Sequence, residues 1–280
     1  MNNSYQYKPI VYFSFTFLIT FVLWFIGAYL SHQARDGLYT IFMLIGLLTP
    51  FIISLFMIIR SKNTELRKDF VNRLFNLKLI RPSIGLTLFY FLIMPITVVI
   101  SIAISLLFGG SVSQFNFADG FSFSIGSVPI LLVLFLAASF EELGWRGYAF
   151  DSLQSRNSFF KASIIFSILW SLWHLPLIFV KESYQYELLG QNPWYAVNFF
   201  VSIVPMGLII SWICVKNRKS VIAAIFFHFI INISQEALAM TQTTKCIETV
   251  VLIAIASIIV VLDKDMFFSR EHLINVNNKE

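Results

Sequence analysis

Apolar runs of about twenty residues recur along the chain between short polar stretches, and their spacing predicts eight membrane-spanning helices. The runs fall roughly at 10–30, 39–59, 84–108, 127–151, 162–180, 194–215, 220–238 and 248–262. Only Lys216, Asn217, Arg218 and Lys219 separate the sixth from the seventh, a tight basic turn between antiparallel neighbours. Between the second and third runs the pattern changes. From Thr64 to Leu79, Leu66, Phe70, Leu74 and Leu77 share one side, with Arg67, Lys68 and Lys78 away from them. That is an amphipathic helix suited to a headgroup plane rich in anionic lipid, with a solvated linker helix as the plainer alternative. The stretch 109–126 has Phe115, Phe117, Phe121 and Phe123 at alternate positions and no Lys or Arg, as in a loop dipping into the outer interface.

Composition supports an all-α polytopic membrane protein, a single membrane domain over residues 1–280 with a core at about 130–235. Hydrophobic residues make up 58% of the chain and charged residues 12%, about half the share usual in a soluble domain. The net charge of +5 does not point to nucleic acid: no such motif is present, and the basic residues lie between apolar runs, where they set topology. With the N-terminus inside, sixteen Lys and Arg fall on the inner side: Lys8, Arg60, Lys62, Arg67, Lys68, Arg73, Lys78, Arg81, Arg156, Lys161, Lys216, Arg218, Lys219, Lys264, Arg270 and Lys279. Only Arg35, Lys181 and Lys245 fall outside. This bias expects an integral protein of the cell membrane with both termini cytoplasmic. Cys214 and Cys246 fall near opposite faces, too far apart for a disulfide. The first apolar run is too long for a signal-peptide core and reads as a span that stays.

A few polar residues interrupt these runs. Glu141, Glu142 and Arg146 follow directly on the apolar stretch 129–138, where a charge costs roughly 2.5–3.5 kcal/mol to insert. Glu142 and Arg146 are four apart in the favourable helical order and make a plain ion pair. Glu141 points about 100° away and needs another partner. The fifth run holds His174, with Pro176 poised to kink the helix or free a carbonyl. The seventh holds His228 and Asn232, four apart and on one face. Each alone reads as an interhelical hydrogen-bonder. Depth argues for more. Counted from the cytoplasmic helix ends, Glu141, His174, His228 and Asn232 lie about 15, 18, 12 and 18 Å in, a single layer.

Those groups limit the chemistry. A carboxylate walled by apolar side chains is a competent general base near neutrality, and an imidazole beside it can orient water or pass a proton. An imidazole and an amide on one face can stabilise an oxyanion. No serine or cysteine stands out as a nucleophile, so water attack is favoured. Glu with two His is also a plausible Zn²⁺ set, although the His-Glu-x-x-His pattern of common zinc peptidases is absent.

Glu141-Glu142-x-x-x-Arg146, an aromatic four residues before His174, and His228-x-x-x-Asn232, each on its own span, resemble the CAAX prenyl endopeptidase and bacteriocin-processing (ABI) family of intramembrane proteases. The likeness covers about 130–235. The family's second motif usually has Phe where this chain has Trp170. The resemblance implies eight helices around a cavity open to cytoplasm and lipid, and a glutamate-dependent, metal-free endopeptidase without a cofactor. It implies that Glu141 and His174 activate water, that His228 and Asn232 bind the oxyanion or complete the site, and that Glu142 and Arg146 orient the first glutamate and its helix. Partners would be a peptide or prenylated-protein C-terminus and membrane lipid, with no nucleic acid; eukaryotic and archaeal members trim three residues after a prenylated cysteine. Two other readings remain at this level: a non-catalytic bacteriocin self-immunity or scaffold protein with the same fold, and a small proton-coupled carrier. The absence of an inverted repeat with broken helices argues against the carrier.

Overall fold

Side-chain caps, more than hydropathy, determine where the helices of the computed structural model begin. Residues 5–33, 36–80, 84–118, 124–125, 128–181 and 183–269 are described; Arg35, Arg81, Phe121, Phe123, Arg270 and Lys279, used in the charge and loop arguments, lie outside them. The helices are α1 (Pro9–Ser31), α2 (Asp36–Arg60), α3 (Thr64–Phe75), α4 (Ile84–Leu106), α5 (Ile130–Gly144), α6 (Phe150–Gln154), α7 (Phe159–Trp173), α8 (Tyr184–Gln191), α9 (Pro193–Lys216), α10 (Val221–Glu236), α11 (Gln242–Leu262) and α12 (Lys264–Phe268). A π-helical turn, Trp145–Ala149, joins α5 to α6, and a 3-10 turn, Leu175–Phe179, extends α7. A ribbon of Ser124–Ile125 against Val128–Pro129 precedes α5.

The side chains of Asn63, Ser158, Asn192, Ser220 and Thr241 accept the orphan N–H groups of α3, α7, α9, α10 and α11. Thr241 carries a correction. The last span was expected from 248, but α11 starts at Gln242 because Thr241 caps it and Gln114 Oε1 accepts from Thr241 N (3.0 Å) and Thr244 Oγ1 (2.6 Å). Gln114 belongs to the Phe-rich loop, whose backbone also pairs with the α10–α11 corner through Ala118 N to Ala237 O and Ala239 N to Asn116 O, both 3.0 Å. That loop fixes a corner of the bundle, while Phe115 and Phe117 stay exposed.

Rods stand at all eight expected places. Among the described residues, six helices are long and apolar enough to cross a membrane, and the chain is a polytopic all-α membrane protein. The other two rods are α5–α6, interrupted by its π turn, and the sixteen-residue α10. The rods form a ring in which α1 packs on α2, α2 on α5, α5 on α10, α10 on α4, α4 on α11, α11 on α9, α9 on α7, and α7 back on α1. Trp145, Trp173, Phe166 and Phe227 fill its centre. The α2–α5 approach is so close that a Cβ on Gly144 would lie 2.4 Å from the Pro50 carbonyl carbon. Pro50 lacks the N–H that Gly46 O would receive in α2, and Thr20 Oγ1 donates to that carbonyl instead, at 3.3 Å.

The bundle has two distinct ends. At the basal end, where α1 begins and α9 ends, α3 folds underneath and buries Leu66, Phe70 and Arg73, leaving Val71, Phe75 and Leu77 exposed at its rim. Arg73, 2% exposed, donates to the π-turn carbonyls of Arg146 and Gly147 (3.2 Å each) and to Asp151 Oδ2 (2.6 Å). A π turn misaligns the backbone ladder, and Arg73 satisfies two of its carbonyls. Lys219 completes the knot at 2.8 Å from Asp151 Oδ1, whose charge holds the ammonium above its usual pKa despite burial. At the distal end lie α8, the start of α9, the end of α10 and the start of α11.

Candidate active site

Glu141 lies in the last turn of α5 and is buried. Its Oε2 accepts the indole N–H of Trp170, from α7, at 2.8 Å and that of Trp145, one turn along its own helix, at 3.3 Å. These are the partners that the sequence left open. Oε1 takes no hydrogen bond from the described residues. Trp145 is in turn locked between Phe13 and Trp173.

Glu142, with 0% exposure, faces the other way. Arg146 Nη1 lies 3.0 Å from its Oε1 and 2.9 Å from its Oε2, and His228 Nδ1 lies 2.9 Å from Oε1. Arg146 Nη2 donates to Gly207 O (3.3 Å) and Ser211 Oγ (3.1 Å) on α9, and the guanidinium lies 4.4 Å from the Phe166 ring centre. The expected ion pair is therefore a three-helix clasp joining α5, α9 and α10. Its contact is with His228, not with Glu141.

Pro176 acts as its position implied. The helix gives way to a 3-10 turn, the His174 N–H goes to Ser171 O (3.1 Å), and the freed Trp170 carbonyl lies 2.8 Å from His174 Nδ1. A carbonyl only accepts, so His174 Nδ1 carries the proton, and Nε2 makes no hydrogen bond with the described residues. His228 follows the same logic, its Nδ1–H given to Glu142. Asn232, one turn further along α10, makes no hydrogen bond with the described residues.

These four side chains, from three helices, line one cavity of about 510 Å³, with Glu142 and Arg146 behind its wall. Ser202 also lines it, but its hydroxyl donates to Phe199 O of its own helix at 2.8 Å. Among the described residues, no three His, Cys, Asp or Glu side chains gather closely enough to hold a metal ion. The mouth is formed by Tyr184, Gln185, Tyr195, Gln235, Gln242 and Lys245 at the distal end. The start of α1 and the end of α12 lie at the opposite, basal end. A cavity open to the cytoplasm at the distal end would put the start of α1 on the other side of the membrane, against the Lys and Arg bias.

The chain is 60% identical over 271 residues to CAAX prenyl protease 2 of Methanococcus maripaludis, which covers 96% of this chain and 99% of that one. The chain belongs to the CAAX prenyl endopeptidase family. The family described as type II CAAX prenyl endopeptidase, Rce1-like, matches residues 123–234, from just before α5 almost to the end of α10. In a CAAX prenyl endopeptidase, Trp170 at the usual Phe position changes more than ring size. Phe has no N–H for Glu141. Sequence reasoning also passed over α8 and Glu248, a buried carboxylate on α11 at the cavity wall. The signal for Glu248 was available: a charge next to an apolar run, the same signal that marked Glu141.

Proposed function

We propose that this chain is an intramembrane endopeptidase whose water is activated by Glu141 and His174, acting on a membrane-presented peptide or prenylated-protein C-terminus. The Methanococcus relative is named for that substrate class. In this reading Glu141 Oε1 takes a proton from water while the water oxygen bonds to the scissile carbonyl carbon. His174 Nε2 orients the same water. The carbonyl electron pair moves onto oxygen, where His228 Nε2–H and the Asn232 amide donate to it. For Nε2 to donate while Nδ1–H is given to Glu142, the His228 ring carries both protons, with Glu142 supplying the counter-charge. Collapse of the intermediate re-forms the carbonyl and breaks the C–N bond, and the proton held by Glu141 passes to the departing amine. Glu142 and Arg146 position His228 and the end of α5.

The observation that carries this reading is the shared cavity, with an unengaged carboxylate oxygen, two imidazoles committed through Nδ1 and a free amide on its wall. The test is Glu141→Gln in liposomes with an isoprenyl-cysteine peptide. Cleavage is expected to vanish while the protein still inserts and folds; undiminished cleavage refutes the reading.

The reading includes a location in the cell membrane with both termini cytoplasmic, on the strength of the Lys and Arg bias. The mouth then faces away from the cytoplasm. A Thr243→Cys probe at the exposed start of α11, in a Cys246→Ser background, is expected to react with impermeant maleimide on intact cells. Protection until the cells are opened reverses the orientation and turns the mouth toward a cytoplasmic substrate.

A further inference from the structure

Among the described residues, Lys245 is the one Lys or Arg lining the cavity. It lies in the first turn of α11, where the helix dipole adds positive potential. Its ammonium donates to Tyr184 Oη and to Gln235 O, each at 3.1 Å, and lies 4.8 Å from the centre of the Tyr184 ring. An ammonium has three N–H groups, and neutral oxygens account for two. Glu236 and Glu248 line the same end, yet among the described residues neither forms an ion pair with Lys245; Glu248 instead accepts from Gln235 Nε2 at 2.6 Å. Both carboxylates attract the ammonium electrostatically, but the oxygens it touches are neutral and leave one donor to spare.

Its position gives that donor a use. Gln235, whose carbonyl holds the ammonium, lies seven residues beyond His228 on α10, about 10 Å along the helix axis. Three residues of extended peptide also span about 10 Å. We propose that Lys245 receives the terminal carboxylate of the substrate, three residues past the cleaved bond, and so sets the length of the fragment released. The inference rests on Glu141 acting as the base of the endopeptidase.

The test compares two synthetic peptides, S-farnesylcysteine followed by the same three residues, one ending in a free carboxylate and the other in a carboxamide. Wild-type protein in liposomes is expected to favour the acid at least tenfold in kcat/KM. In Lys245→Met that ratio falls toward one, and in Lys245→Arg most of it returns. Equal cleavage of acid and amide by wild type overturns the proposal, as does a ratio that survives Lys245→Met, including loss of both activities in parallel. If Lys245→Met does not accumulate, inhibition of the wild type by the free tripeptide decides. The tripeptide acid is expected to inhibit at least tenfold more tightly than its amide, and equal inhibition overturns the proposal. Wild-type protein that cleaves neither peptide refutes the endopeptidase reading itself, a separate outcome.

Discussion

The adjacent carboxylates Glu141 and Glu142 are expected to differ widely in how much the same isosteric change destabilises the fold. Glu142→Gln removes the charge that compensates Arg146, a pair exposed only 1% and 0%. Removing one partner of a buried ion pair costs about 3–5 kcal/mol, because the remaining charge stays buried. His228 Nδ1–H competes with Arg146 for the single amide oxygen that is left, which adds about 1–3 kcal/mol for an unsatisfied donor. Glu141→Gln keeps an oxygen for the two indoles and strands no cation, so it costs only about 1 kcal/mol. At about 2–4 °C per kcal/mol, the ion-pair loss alone lowers the melting temperature of Glu142→Gln by roughly 6–20 °C, against a few degrees for Glu141→Gln. Both lose peptidase activity, so stability is the discriminating measurement: tryptophan fluorescence on heating in detergent, with liposome cleavage alongside. Melting temperatures within a few degrees of each other would refute the division of labour between these residues.

Two further outcomes follow from the hydrogen bonds. Trp170→Phe restores the family's usual aromatic but deletes the 2.8 Å donor to Glu141; its ring still stacks on Phe166, so folding is retained while kcat falls roughly ten- to hundredfold, the range for a hydrogen bond to a charged group. An unchanged kcat would show that Trp145 alone positions the carboxylate. At the basal end, burial pushes the Asp263 carboxyl up, but hydrogen bonds from Lys216 (2.8 Å) and Trp212 (2.6 Å), with the Lys216 charge, outweigh it and hold the group below its usual range. A depressed carboxylate contributes stability above its unfolded pKa of about 3.9 and loses it as pH falls through the folded value. Asp263→Asn therefore melts below wild type at pH 7, and the gap closes on acidification past about pH 4; a constant gap contradicts the assignment.

The bundle was legible in the sequence because its rods announce themselves by length and apolarity, and the site because four costly polar groups agreed in depth. What the sequence hid depends on packing between distant segments. The partners of Glu141 come from Trp145 and Trp170, which look like ordinary apolar filler until α7 meets α5. The π turn after Gly144 is an extra residue in one turn, stabilised by Arg73 from a helix read as a membrane-surface or solvated linker element. The start of α11 depends on Gln114, more than a hundred residues away. The position of the mouth depends on α8, eight residues that hydropathy passes over.

The basal knot of Arg73, Asp151 and Lys219 has a consequence for traffic. It ties α3 and the α9–α10 turn to α6 beneath the π turn, so in the proposed reading a hydrophilic fragment released at Glu141 leaves by the distal end, past Tyr184 and Gln242. Arrival and departure at that end then compete, and turnover depends on how quickly the spent piece vacates it.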